Sequence, residues 1–513
     1  MLAFSIFLVG NSAAVASANP YEDPEVCVPM TQIDSLVFTQ LQQLGIPPAD
    51  VCSDAAFIRR TYFDVIGTLP TPEEVREFLA DSNINKRNAL IERLLERPEF
   101  ADYWAMKWCD ILRVKSEFPI NLWPNAVQSY HHWVRASLQQ NISYDKFVRA
   151  LLISSGSNFR SPPANFYRAV QSRDPVTLAQ AVALTFMGAR ASQWPKEQLA
   201  GMAAFFSQVG YKTTSEWKEE IVYFDAGKPK SPTVGKLPDG TEMKFNSEQD
   251  PREVFANWLI SARNPWFARN AVNRIWAWLM GRGIIQEPDD IRPDNPPVNP
   301  ALLAYLEGEL VSNHYDLKQI YRLILKSRTY QLSCVPKSKD PRAEANFAFY
   351  PMRPLDAEVV IDAMNQITGT AEKYSSAIPE PYTFIPESER TIALADASIS
   401  SPFLELFGRS PRDTGLAGER NDRPTGAQRL HMLNSSHIQR KLEMSVKLRA
   451  LMVPGPRPRD VVDSLYLTIL SRYPTMEELK IIVAAKAENP ASQRLGLDLA
   501  WALVNTSEFQ YRH

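Results

Sequence analysis

The residues of this chain best suited to chemistry lie in its last quarter. Arg412, Asp413, Glu419, Arg420 and Asn421 fall in a proline-punctuated stretch, and Arg429, His431, Asn434 and His437 follow on a helical run from Thr425. A guanidinium fork matches a carboxylate in a two-pronged bond. With acids, amides and two imidazoles beside them, these arginines could line a pocket for a polar ligand. In a catalytic version, Asp413 or Glu419 would donate or accept the proton and His431 would be its partner. The same composition also builds a buried ion-pair network that orders a long loop. On the residues alone both readings stay open.

A second set sits on the stretch Asn264 to Gly283. Arg269, Arg274 and Arg282 line it, and Asp289, Asp290 and Asp294 follow within reach. It reads either as an Arg–Asp clamp pinning a loop to a helix or as an anion or sugar-acid site. Other chemistries lack their residues. His431 and His437 are six apart and do not share a helix face, and the adjacent His131 and His132 do not face one way. There is no H-E-x-x-H and no cysteine cluster, so no metal and no other cofactor is expected. No phosphate-cradling glycine loop and no G-x-S-x-G elbow occurs. Ser435 and Ser436 precede His437, but adjacency in sequence is not triad geometry.

The elements that must position these residues read as helices. Pro265 suits a first turn, Phe267, Val272, Ile275, Trp276 and Leu279 give one apolar face, and Gly281 and Gly283 stop the helix. The fold class is mostly α: multi-helix bundle domains with a small β-hairpin element between them and long Pro-rich loops. The expected division is a signal peptide at 1–18, an N-terminal arm at 19–54, a helical domain at 55–210 and a β-hairpin linker at 211–249. A second helical domain follows at 250–369, then a long charged loop at 370–424 and a C-terminal helical module at 425–513. In the linker, Glu220 to Phe224 is a strand candidate, and Asp239-Gly240 marks a turn with Glu242 to Phe245 as its return strand. The chain ends also repeat. Pro70-Thr71-Pro72-Glu73-Glu74 leads to Glu99-Phe100, as Pro474-Thr475-Met476-Glu477-Glu478 leads to Glu508-Phe509. Both read as a capped helix start inside a three-helix module.

Over 513 residues, 56 Lys and Arg against 58 Asp and Glu leave a net charge of -2, which gives no support for a nucleic-acid partner. The 39 prolines against 20 glycines suit short helices joined by stiff loops. Met1 to Gly10 is apolar and Ala16-Ser17-Ala18 is a small-residue cleavage signal, so export to the periplasm or cell surface is expected, although no Lys or Arg precedes Arg59. No other run is long and apolar enough to span a bilayer. After export, Cys27 and Cys52 could bridge and staple the arm; Cys109, beside Trp108, reads as a buried thiol.

The segments Arg59-Arg60-Thr61-Tyr62-Phe63-Asp64 to Pro70-Thr71, Val272-Asn273-Arg274 with Gly281-Arg282-Gly283, Pro288-Asp289-Asp290, and Trp501 to Asn505 with Glu508-Phe509 carry a family resemblance. They resemble the planctomycete-type paired-domain family, a cytochrome-c-like domain followed by a planctomycete-specific domain. The resemblance implies export and a helical architecture, and no assured enzymatic activity. Many members place Cys-x-x-Cys-His between the positions matching Arg190 and Ala203, for covalent haem. Here the tract reads Ala191-Ser192-Gln193-Trp194-Pro195-Lys196-Glu197, without cysteine or histidine. The expectation is a member without the haem motif.

Three functions follow as expectations. The first is an exported, non-redox protein that binds a glycan or cell-surface protein, with tryptophans supplying flat faces. The second is an enzyme on a polysaccharide or other polar substrate using the Arg412–His437 cluster. The third is electron transfer by non-covalent haem, for which the 188–206 tract offers only Met202.

Overall fold

A computed structural model describes residues 19–23, 27–227, 234–245, 248–421, 423–452, 457–488 and 495–513. The expected signal peptide lies outside these residues. The described residues are mostly α, with 22 α-helices and short strands in four small sheets. Among them no helix is long and apolar enough to cross a membrane.

One buried apolar cluster runs from Ile33 to Phe509 and joins the helices on both sides of the 211–249 segment. The buried Trp104 and Trp108 of helix Pro98–Ile111 meet the partly buried Trp278 of helix Phe267–Met280, with ring centroids 5.4 and 5.5 Å apart. Helix Phe267–Met280 ends at Gly281, whose φ of 75° completes the stop read from the sequence.

The strand candidate Glu220–Phe224 is a strand, but it does not pair with the segment after the Asp239-Gly240 turn. It pairs antiparallel with Val209–Thr213 and with Gly156–Ser157. The Asp239-Gly240 turn closes a separate hairpin, Val234–Lys236 against Glu242–Lys244.

The two ends of the chain are built alike. Helix Asp54–Ile66 stops at Gly67 with φ 59°, and helix Pro458–Leu470 stops at Ser471 with φ 59°. Thr71 and Glu74 then form a capping box, and Thr475 and Glu478 form the same pair of bonds, with Glu478 Oε2 accepting from Thr475 N at 2.7 Å. In each copy an arginine ties the box glutamate to the later Glu-Phe glutamate. Arg97 reaches Glu74 at 3.0 Å and Glu99 at 2.5 Å, and Arg472 reaches Glu478 at 2.7 Å and Glu508 at 2.6 Å. Arg59 joins the copies by donating to the carbonyls of Ile469 and Phe509 at 2.8 and 3.1 Å. Thr71→Ala is expected to lower stability by about 1 kcal/mol through loss of one cap; an unchanged urea midpoint would show that the box contributes nothing.

The cysteine expectation is corrected. All four thiols are free, and Cys52 is buried in a two-residue strand against Glu22–Asp23 rather than bridged to Cys27. Cys109 is buried, and burial pushes its thiol up to about 12, away from reactivity.

Candidate functional site

The charged loop does not gather into one site. Arg409, Arg412 and Arg420 turn inward to carboxylates on distant helices. Arg412 Nε donates to Asp110 Oδ1 at 2.9 Å, and Arg420 donates to Asp110 Oδ2 at 2.7 Å and Glu358 Oε2 at 2.6 Å. Arg409 pairs with Glu358 at 3.3 Å. The network continues through Asp356, which takes Lys107 at 2.6 Å and Arg512 at 2.8 Å. Arg512 also reaches Asp64 at 2.9 Å, where Tyr330 and Tyr350 donate at 2.9 and 2.8 Å. Guanidinium and ammonium neighbours hold Asp356 and Glu358 below the usual carboxylate range despite the opposing effect of burial. In physical terms this is a largely desolvated ion-pair network that clamps the loop onto helices Pro98–Ile111 and Ala357–Thr368.

Asp413 leaves that network and pairs with Lys115 at 2.7 Å. Glu419 accepts from Thr414 N at 2.7 Å, and burial pushes its carboxyl up toward the neutral form. His431 lies elsewhere, against the rings of Phe403 and Phe407, with Nε2 3.3 Å from His437 Nδ1. His437 Nε2 meets Glu372 at 3.0 Å, and Glu372 also takes Lys441 at 3.2 Å. Asp413 and Glu419 thus share no partner with His431. Ser435 is a helix cap that accepts from Ile438 N at 3.3 Å. Arg429 and Asn434 are exposed. Among the described residues, no group of three His, Cys, Asp or Glu is placed to hold a metal ion.

The second arginine set splits in the same way. Arg274 and Asp289 are both buried and pair at 2.8 Å, while Arg274 also donates to Thr185 O at 2.9 Å. Asp289 then accepts from Ala417 N at 2.6 Å, linking this helix to the charged loop. Gly188 lies beneath it with φ 61°, where a Cβ would come within 2.7 Å of Asn270 Oδ1 and 2.9 Å of Pro288 O. Arg269 pairs with Glu307 at 2.7 Å, and Arg282 is half-buried.

The exposed chemistry lies in three loops that sequence spacing does not connect. Trp123, Trp217 and Tyr382 form a triangle of rings, with centroids 4.8 Å apart for Trp123–Trp217, 5.2 Å for Trp217–Tyr382 and 5.9 Å for Trp123–Tyr382. Trp217 is 59 % and Tyr382 48 % exposed. Lys218 Nζ lies 4.9 Å from the Trp123 ring. Phe118 and Phe384, near Trp123 and Tyr382 in sequence, are 80 % and 75 % exposed.

Each ring is held by the backbone beneath it. Trp217 and Lys218 sit at the tip joining strands Val209–Thr213 and Glu220–Phe224, where Lys218 has φ 62°. Glu219 braces that tip, taking Ser157 at 2.5 Å and Thr214 at 2.7 Å. Trp123 has φ 76° directly before Pro124 opens a helix. A non-glycine residue so placed stores strain that its surroundings must offset, and such outliers concentrate at functional sites. The Trp123 segment is fastened by Arg168 donating to Leu122 O at 3.2 Å and by Ala377 N donating to Glu117 Oε1 at 3.1 Å. The second bond ties it to the loop that carries Tyr382. One local signal was available: Trp217 stands alone in the polar run Ser215-Glu216-Trp217-Lys218-Glu219. A large ring there has no core to join.

The structure defines a mostly helical chain in which two helical regions share one core, with an aromatic face at the surface. Residues 32–210 match the family model PSCyt2, a protein of unknown function (DUF1549), and residues 251–485 match PSD1, a protein of unknown function (DUF1553). The chain therefore carries the planctomycete-type domain pair. Neither the curated proteins nor the solved structures yield a match. The 188–206 tract of the first domain offers no thiol for a thioether and no imidazole for an axial bond, and Met202 is buried in the core. These residues do not fit covalent attachment of haem.

Proposed function

We propose that this chain is an exported, non-redox binding protein that holds a cell-surface glycan on the Trp123–Trp217–Tyr382 face. The observation that carries the reading is a cluster of three rings from three separate loops, Trp217 and Tyr382 exposed and Trp123 half-buried beneath them, with a lysine beside them. Large rings are ordinarily buried, and a clustered exposed group marks an interaction surface. Aromatic rings offer flat, rigid, amphipathic area at small entropic cost, which suits the apolar faces of sugar rings.

The enzymatic alternative, through the Arg412–His437 cluster, has less support. Arg412 and Arg420 are committed to Asp110 and Glu358, and Asp413 to Lys115. The electron-transfer alternative predicts a Soret band or stoichiometric metal in protein exported from a host that matures c-type cytochromes; a colourless, metal-free protein is expected instead.

The binding reading is tested by affinity electrophoresis through gels containing soluble polysaccharides. Trp217→Ala with Tyr382→Ala should reduce retardation by about tenfold in apparent affinity while leaving stability within about 0.5 kcal/mol, as exposed substitutions usually do. Retention by every polysaccharide that is indifferent to the double substitution would sink the reading.

A further inference from the structure

An open cleft of about 320 Å³ lies between helix Pro175–Val182, the turn Arg190–Ser192 and loop residues Asp413, Thr414 and Leu416. Its size is at the lower end of small-molecule sites, enough for one sugar ring. Arg113 lines it and is 3 % exposed. Nε of Arg113 donates to Ala169 O at 2.7 Å and Nη1 to Thr414 O at 3.3 Å, but Nη2 has no partner. Unlike Arg412, Arg420 and Arg274, which each have a carboxylate, Arg113 is bonded only to carbonyls.

The negative groups nearby do not neutralise it. Asp413, in the cleft wall, is taken by Lys115 at 2.7 Å. Glu419 acts on Arg113 at longer range, and its own carboxyl is pushed up toward the neutral form by burial. Burial also lowers the Arg113 guanidinium to about 10, the mark of a charge without a full counter-charge. Arg190 adds a second cation; its Nη2 meets Glu287 at 3.3 Å, and its Nε has no partner. A buried charge left uncompensated costs several kcal/mol, and an anion entering the cleft would offset that cost. Arg59 and Arg60 also rest on carbonyls, but they do not line this cleft.

The rest of the wall sets the ligand's other half. Gln180 presents a neutral amide, Thr177 a hydroxyl that donates to Asp174 at 2.7 Å and can still accept, Asp413 the carboxylate oxygen not bonded to Lys115, and Leu184 an apolar side. We infer that this cleft binds a hexuronic acid, its carboxylate bonded to the exposed head of Arg190 and drawn by the buried charge of Arg113, and its hydroxyls on Thr177, Gln180 and Asp413. A planar carboxylate suits the guanidinium fork. The inference rests on the cleft alone and is independent of the aromatic face.

The test is calorimetric titration of the full chain with D-glucuronate and with D-glucose. Glucuronate should bind at least about tenfold more tightly than glucose, since the sugars differ in the group the arginines recognise, and should weaken as salt rises. Arg113→Met removes anchors of Ala169 and Thr414 and risks misfolding. Arg190→Gln is therefore the informative variant, because its side chain is 35 % exposed. It should weaken glucuronate at least about fivefold with an unchanged melting temperature, the loss of one charged partner. Ser192→Trp, at the exposed rim, should weaken it similarly by filling the mouth. Equal binding of the two sugars, no heat from glucuronate, or unchanged affinity in both variants would overturn the inference. Retention of neutral polysaccharides alongside such a failure would leave the aromatic face standing and remove only the cleft.

Discussion

Asp110→Ala is expected to destabilise the chain by about 3–5 kcal/mol, the cost of removing one partner from a buried ion pair. Asp110 holds two guanidiniums at once, Arg412 at 2.9 Å and Arg420 at 2.7 Å. Arg412 is fully buried and would keep only neutral carbonyl partners, those of Ala395 at 2.8 Å, Val114 at 3.3 Å and Met106 at 3.5 Å. Two desolvated cations would then face each other without their shared counter-ion. The loss is a large share of the about 5–15 kcal/mol that holds a typical domain together. The control is Asp294→Ala. Asp294 also pairs with an arginine, Arg292 at 2.8 Å, but its side chain is 73 % exposed. Solvent screens that pair, so a change below about 0.5 kcal/mol is expected. Chemical denaturation of both variants reads the contrast. Equal small effects would mean that the loop is not clamped by its arginines.

Stability should fall well above the carboxylate range as the solution is acidified. His131 is buried, and desolvation, followed by the charges of Arg412, His132 and Arg135, lowers its imidazole to about 3. His513 is also buried; desolvation is the largest effect and lowers it to about 4, with Glu508 opposing and Arg59 assisting. Both rings are neutral in the fold. Below about pH 6.5 the unfolded chain takes up protons that the folded chain refuses. The unfolded state therefore gains ground as pH falls, by about 1.4 kcal/mol per pH unit for each ring. The window closes near the folded values of about 3 and 4. The depressed carboxylates act lower down. Glu358 and Glu508 contribute stability that is present above the unfolded range near pH 4 and is lost as pH falls through their folded values. His131→Phe should flatten the upper part of the profile. A melting temperature constant from pH 7 to 5 would contradict the neutral, buried assignment of both rings.

What the sequence made legible was local. The boxes at Thr71 and Thr475, the stop at Gly281, and the strand Glu220–Phe224 are each set by residues within a few positions of one another. The pairing of that strand with Gly156–Ser157 was not, because a short strand carries no mark of which distant segment completes it. The arginines of the charged loop were visible as a group, and an ion-pair network was one of the two readings they allowed. Arg412 and Asp110 are separated by 302 positions, so their pairing has no local signature. The aromatic face was hidden for the same reason. Trp123, Trp217 and Tyr382 come together only because a tight turn, a hairpin tip and a proline-rich loop converge.

Hydrogen–deuterium exchange with and without a retained polysaccharide tests the glycan-binding face most directly. Bound glycan should protect the backbone around Trp123, around Trp217 and around Tyr382 together, because the three rings form one surface. Protection confined to the helices that carry His431 and His437, with those three loops exchanging unchanged, would contradict it and return the search to the charged cluster.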